Sequence, residues 1–567
     1  MLKRLIIGEI PDDFDLSSDL LLGPWCIVGK EGRFPDFETY KFFPDPFSTP
    51  EALHKASLET VEYTNSYLPE LAAELNLKNG TTHDLVFWRL MLLPWLITVI
   101  QTTWERQCRI RKFMDQYQEE NISVTLMKDS VEWKFRNTQD FIFRGVLNLT
   151  YNEWLYSRLI EARLPPSWNV SYVEREIEYP DFFDNRKSWK WSIYNRFFKN
   201  LRCRMVYGIS PISSIIWSLF LSLKPIRYKV DCSLPSIENR NACVNWGIDI
   251  NDLLSETIPK CFLQLNELDT SSRQPRSGKL HLLGPVIYYD EPYMYKLAKC
   301  VEAGERLVLT QHGGNYGNMR TYPFPSSVEY AQYRFFSWGW REQDDYPGNI
   351  VPLPSPLLSK LSNKYKKENE DLILVGTRMQ LCSHRLDSTP QPLEKISYRK
   401  NKISFLQHLE KDIIRNVSYR AYPMLADAEK IGSLQDFPYV KAAFPMIRNC
   451  EGELHAIILR CKLLVLDHPG ATLNIALATN IPTIGFWDKN AWSLCHQAEP
   501  YFSELEKAGI LFEVAEEAAN QVNQIWKNVN GWWNKHAVQQ ARQRWCFEYA
   551  RSDRFWWWHW LKILWSI

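Results

Sequence analysis

The chain has 567 residues, more than one ordinary hydrophobic core accommodates, and its 45% hydrophobic and 23% charged residues mark a folded rather than a disordered polypeptide. Lys and Arg number 67 against 66 Asp and Glu, a net charge of +1 that gives no global drive toward nucleic acid and leaves anion binding to local sites. The 12 cysteines form no Cys-x-x-Cys pair and no Cys/His cluster at zinc spacing, which argues against a disulfide framework, a structural metal and redox chemistry, and for a cytoplasmic protein.

The first residues, Met1 to Glu9, include two basic side chains, but the apolar run stops at Gly8-Glu9, too short for a signal peptide, and reads as a first β-strand. Trp25-Cys26-Ile27-Val28 and Ile122 to Leu126 read as further strands, separated by a helical stretch from Thr82 to Gln116. Two segments, 87–104 and 209–223, are apolar enough to test as membrane spans. The first contains Arg89 and Pro94, and the second is short and serine-rich, so both are expected to be buried helices. The polar run 269–279 reads as a loop. After it come a strand at 280–283, a helix at 291–303 and a strand at 306–310, a βαβ unit that implies a parallel sheet. A charged, proline-bounded linker follows between Pro352 and Glu370. Beyond it strands at 372–375, 417–421, 462–466 and 483–486 alternate with helices. The pattern is α/β, with an N-terminal domain (1–355) carrying helical insertions, a second α/β domain (371–530) and a Trp-rich tail (531–567).

The strand at 306–310 runs into Gln311-His312-Gly313-Gly314-Asn315-Tyr316-Gly317, placing a histidine at the carboxyl end of a parallel strand, the edge where open α/β sheets bind ligands. Gly313, Gly314, Asn315 and Gly317 suit close backbone approach to a ligand or anion, and His312 is the candidate base. Glu329 is the candidate group to orient it or to bind an acceptor. In the second domain Gly470 and Thr472 open a helix after a strand, a phosphate-binding arrangement. Arg420 and Tyr422 leave another strand end, and Arg378 a third. Together these describe a nucleotide mono- or diphosphate pocket. No P-loop, Gly-x-Gly-x-x-Gly, Gly-x-Ser-x-Gly or Asp-x-Asp pair appears in suitable context, which weakens kinase, dehydrogenase and hydrolase readings.

At these residues the chain resembles the surface-polysaccharide transferase family first noted in spirochaete O-antigen gene clusters. The likeness runs through Gly23-Pro24-Trp25-Cys26, His83 to Arg89, Pro94-Trp95, Gln311 to Gly317, Ser337-Trp338-Gly339-Trp340, Arg420-Ala421-Tyr422, Thr472-Leu473 and Asn480 to Thr483. More distantly it is similar to the CDP-glycerol glycerophosphotransferases and to transferases using CMP-activated Kdo or sialic acid. The resemblance implies a GT-B-like glycosyltransferase with two Rossmann-like domains facing a cleft, no metal and no cofactor. It implies a nucleotide-sugar donor, such as a CMP-nonulosonate, held by the C-terminal domain. A glycan or lipid-linked acceptor would sit on the N-terminal one, beside His312. In those relatives a His-Pro pair after a strand reads the donor phosphate. Here the strand through Arg420 ends in Tyr422-Pro423, and the His-Pro pair, His468-Pro469, lies in the later strand-to-helix turn. The rivals are a polyol-phosphate transferase using a CDP-alcohol and a non-catalytic glycan-binding protein. In the tail, Arg554 to Trp565 places tryptophans among cations, which fits either a peripheral contact with the inner face of the cytoplasmic membrane or a last helix packed on the first domain.

Overall fold

The computed structural model describes residues 3–30, 32–34, 40–128, 132–176, 201–223, 246–268, 279–288, 290–390, 394–423 and 433–566. Most of the loop expected at 269–279 lies outside them. Three parallel sheets are built in chain order. The first comprises β1 (Lys3–Ile6), β2 (Asp19–Leu21), β3 (Ile122–Met127) and β4 (Asn169–Val173), in the order β2-β1-β3-β4. The second comprises β5 (Cys203–Arg204), β6 (Leu280–Leu283), β7 (Arg306–Thr310), β8 (Arg334–Ser337) and β9 (Ile350–Pro352), neighbours in that order. The first 355 residues therefore carry two sheets.

The C-terminal half holds β10 (Leu372–Val375), β11 (Met379–Gln380), β12 (Val417–Arg420), β13 (Ser433–Leu434), β14 (Arg448–Asn449), β15 (Leu463–Leu466), β16 (Thr483–Phe486) and β17 (Leu511–Phe512). Its main sheet has the order β14-β12-β10-β15-β16-β17, and β11 pairs with β13 outside it. The strands β7, β10, β15 and β16 are buried at every residue, as parallel strands covered on both faces must be. From β10 the chain turns first to β12 and later to β15 on the opposite side. The carboxyl ends of β10 and β15 thus form a topological switch point, the usual ligand crevice of such sheets.

Two sequence expectations are corrected. Trp25 to Val28 is not a strand: Pro24 opens a 3₁₀ turn over Pro24–Cys26, and the Trp25 indole donates to the Ile7 carbonyl at 2.9 Å, closing the end of β1 instead of extending the sheet. Of the two apolar stretches, only the first is a buried helix. Asp84 caps the Leu85–Tyr117 helix by accepting from the Phe87 N–H, and most of that helix lies in the core. The Pro211–Leu223 helix turns Ser214, Trp217, Ser218 and Leu221 inward, with Ser218 bonded within the helix and to β5, and leaves Ile212, Ile216, Leu219 and Leu223 outward.

The halves of the chain are tied together at several points. A strap at 383–386, leaving β11, lies on the Leu85–Tyr117 helix: Arg106 donates to the Ser383 carbonyl at 2.6 Å, Thr102 to the His384 carbonyl at 3.0 Å, and the Leu386 N–H to Gln101 at 3.2 Å. Arg106 is itself fixed in a buried cluster with Glu105, which also holds Arg109 and through it Asp45. Met319 pairs with Leu494 across the halves. Finally the chain end returns to the second sheet. The Arg551 N–H donates to the Trp338 carbonyl, and the Trp560 indole of the Trp556–Ser566 helix to the Pro354 carbonyl, both within 2.9 Å.

Candidate active site between two sheet edges

The segment after β7 leaves the second sheet and meets the switch point of the third. A Cβ on Gly314 would collide with the backbone of Gly470 and Ala471, so only glycine lets the two chains approach this closely. The His312 turn abuts the turn after β15 and forms a wall between two cavities.

The first, of about 340 Å³, is lined by Asn315, Thr377, Arg420, Tyr422, His468, Gly470 and Thr472, a volume in the range of small-ligand sites, ~300–1,000 Å³. The Ala471–Ala478 helix opens onto it. Its N-cap is Gly470, extended at φ −88° and ψ −173° with no side-chain cap, which leaves the first N–H groups of the helix without a side-chain acceptor. Thr472 is thus the second helical residue, not the cap. Arg420 is held by the carbonyls of Cys450 at 2.7 Å and Gly452 at 2.8 Å, a fixed guanidinium with N–H groups to spare. The Asn315 side chain faces this cavity, and its Oδ1 has no partner among the described residues.

His468, which the motif reading left out of the site, also lines it. Its Nδ1 lies 2.7 Å from Asp467, which accepts from the Tyr398 hydroxyl at 2.9 Å and meets Lys402 at 3.1 Å. Burial would raise the Asp467 carboxyl, but Lys402, His468 and Tyr398 overcome it and hold the group below the usual range, so it stays charged. A charged Asp467 fixes Nδ1 as the protonated nitrogen and leaves Nε2 as the imidazole's other polar atom. The signal was present in Asp467-His468-Pro469 at a strand end. What it lacked was knowledge that this strand lies two places from β12 in the sheet.

The second cavity, of about 240 Å³, is lined by His312, Tyr288, Tyr316, Tyr322, Phe324, Glu329, Arg378 and Arg385 among others. Arg378 lines the His312 cavity, and its guanidinium rests 5.6 Å over the ring of Tyr422, a residue of the first cavity, so it stands where the two cavities meet. Glu329 sits in a π-helical turn, Ser326–Tyr330, and accepts from the hydroxyls of Tyr288 and, at 2.7 Å, Tyr316. The Tyr316 oxygen lies 3.0 and 3.1 Å from the two ring nitrogens of His312. Since the tyrosine gives its one proton to Glu329, it accepts from the imidazole.

Burial pushes the His312 pKa down to about 4, aided by Arg385 and opposed by the Thr310 carbonyl. Burial pushes Glu329 up to about 8, against the pull of its two tyrosines and Arg385. The 3.9 Å approach of the two groups is therefore a contact of neutral partners at neutral pH, not an ion pair. Gly313 accepts from the Gln311 side chain, whereas Gly317, at φ +74°, lies beneath Trp340 with its N–H on Gln343 and is not exposed to the cleft.

A model of the LIC12162 family transferases matches residues 3–564, nearly the whole chain. The chain belongs to that family. It is a transferase, and no curated protein matches it. Two cavities parted by one turn of chain fit a LIC12162 family transferase, which must hold the group's donor and acceptor side by side. The one set of described residues with metal-ligand spacing, His281, Cys300 and Glu305, lies at the opposite ends of β6 and β7, where Arg202 already holds Glu305 at 2.8 Å.

Two consequences are measurable. Gly314→Ala drives a methyl group into backbone that has no rotamer to yield, so it should lower stability by about 1–3 kcal/mol in thermal or chemical denaturation. The folded Glu329 carboxyl keeps its proton to about pH 8, whereas its ordinary value is 4.5. The folded state thus holds the extra proton between those values and loses stability as pH rises through that window. Melting temperatures of Glu329→Gln should fall less from pH 5 to pH 8 than those of the parent, and parallel curves would refute the neutral carboxyl.

Proposed function

We propose that the protein is a GT-B-like glycosyltransferase that moves a nucleotide-activated sugar, such as a CMP-nonulosonate, onto a surface-polysaccharide acceptor. In this reading the second and third sheets are the two facing halves and the first sheet is an N-terminal addition. The observation that carries the proposal is the 340 Å³ cavity in which Arg420, His468, Thr472 and a bare helix N-terminus converge, one glycine turn away from His312.

The acceptor hydroxyl attacks the anomeric carbon while the bond from that carbon to the donor phosphate breaks. The leaving phosphate takes the electron pair, and its charge is met by the helix N–H groups, the Thr472 hydroxyl, Arg420 and His468 in its imidazolium form, whose Nε2–H donates to it while Nδ1–H stays on Asp467, the metal-independent form of the reaction. His312 takes the hydroxyl proton. A pKa of about 4 makes it a weak base in the empty site, but a donor phosphate across the Gly313-Gly314 turn places negative charge nearby and raises it. Tyr316 and Glu329 hold the ring in place.

A nucleotide near 100 times its dissociation constant should stabilise the protein by about 2.7 kcal/mol, with CMP or CDP preferred over UDP and GDP. His312→Ala should lower transfer by about 10²-fold or more and keep that stabilisation, whereas His468→Ala should diminish it. Full transfer by His312→Ala would remove the base assignment. Transfer from CDP-glycerol but not from CMP-sugars would select the polyol-phosphate reaction instead.

The same reading places the enzyme in the cytoplasm at a membrane face carrying lipid-linked acceptor. The tail helix packs on the second sheet and leaves an outward tryptophan face that supports the membrane reading. Trp560 and Leu564 pack on the second sheet, and Trp557, Trp558 and Trp565 face outward beside Arg554 and Lys562. Trp217 of the Pro211–Leu223 helix stacks on Trp556, so the exposed isoleucines and leucines of that helix adjoin the tryptophans. Vesicles rich in phosphatidylglycerol should sediment the protein, and Ile216→Asp with Trp558→Asp should release it without loss of nucleotide-induced stabilisation.

A further inference from the structure

Two arginines of the His312 cavity have no part in the chemistry above. Arg378 leaves the end of β10, and Arg385 is carried by the strap that Arg106, Thr102 and Gln101 fasten to the Leu85–Tyr117 helix. Each is thus delivered by the C-terminal half, with Gln380 and His384, into a cavity whose other walls belong to the N-terminal half. The charges do not balance. Glu329 keeps its proton to about pH 8, and Asp387, nearly inaccessible, meets Arg385 at 3.0 Å and cancels at most one positive charge. Arg378 has no carboxylate partner among the described residues, only the face of Tyr422. The Arg385 guanidinium stacks 4.0 Å over Phe324, which holds its plane while its side chain keeps 23% of its surface accessible.

The cavity therefore offers an excess cation, and Tyr288, Phe143, Tyr322 and Phe324 supply aromatic surface on its walls. A sugar ring presents an apolar C–H face that suits such a wall. A negatively charged substituent on that ring suits the arginines, and an uncharged sugar would leave them without an acceptor. We propose that this cavity selects an acidic acceptor, a sugar bearing a carboxylate or phosphate that Arg378 and Arg385 engage. The inference rests on the transfer reading above and names the acceptor class for it. It also joins recognition to chemistry: Arg385 is one of the groups that depress the proton affinity of His312, so an anion bound to it lifts that restraint as the acceptor arrives.

Ligand-observed NMR on the full-length protein tests this with three probes: D-glucuronate for a carboxylate, glucose 6-phosphate for a phosphate and D-glucose as the neutral control. At least one charged probe should bind about tenfold more tightly than glucose, and the stronger of the two identifies the anion. Arg378→Gln and Arg385→Gln should each weaken that probe by about tenfold, Arg385→Lys should restore part of it, and CMP affinity should be unchanged in the two Arg385 variants, reporting an intact fold and donor cavity. Equal binding of glucose and both charged sugars overturns the proposal. So does anion binding that survives the double Arg378→Gln, Arg385→Gln variant. Arg-dependent binding of glucuronate or glucose 6-phosphate in a protein that ignores every nucleotide would sustain the anionic cavity and sink the nucleotide-donor reading.

Discussion

The close approach of Gly314 to Gly470 and Ala471 is the constraint around which the molecule is arranged. Two backbones at this distance exclude any Cβ, so the turn after β7 and the turn after β15 fix each other's position. His312, Asn315, His468 and Thr472 all lie within two residues of that contact. On one side Asn315 and His468 enter one cavity, and on the other His312 and Arg378 enter its neighbour. The additional ties, the strap on the Leu85–Tyr117 helix and the returning chain end, keep the halves in the register that this contact needs.

Within that frame the two buried carboxylates follow one rule to opposite ends. Desolvation works against charge on both Asp467 and Glu329. Lys402, wholly buried at 3.1 Å, outweighs it for Asp467, which stays ionised and orients His468. Glu329 has tyrosine hydroxyls as its close partners and remains protonated to about pH 8. One site is thus built to hold an imidazole against a fixed negative charge, the other to hold one against a neutral acid. The same logic makes the His312 cavity positive, because the carboxyl that would neutralise its arginines has kept its proton.

The apolar surface of the Pro211–Leu223 helix and the tail shows how composition can mislead. Its serines mark the first as a buried helix, yet two of them, Ser214 and Ser218, share the inward face with Trp217 and Leu221. The Ser218 hydroxyl donates to the Ser214 carbonyl and accepts from the Cys203 N–H, so it is satisfied without water. Ile212, Ile216, Leu219 and Leu223 then take the outer face beside the tryptophans of the chain end.

By itself the sequence determined the α/β alternation, the strands β6, β7, β10, β15 and β16 nearly to the residue, and the placement of His312, Arg420 and Thr472 at strand or helix ends. These follow from local rules, since hydrophobic period, glycine turns and strand-to-helix junctions are written within a few residues of one another. Tertiary structure alone decided the rest. Sheet order brought His468 beside Arg420, although 48 positions separate them in the chain. A strap without periodic signal carried Arg385 across to His312, and Trp25 left the strand pattern because its indole found the Ile7 carbonyl. Burial, which no local pattern reports, set the proton affinities of His312 and Glu329. Each of these is a contact between distant residues, and its energy depends on what surrounds it, not on what precedes it in the chain.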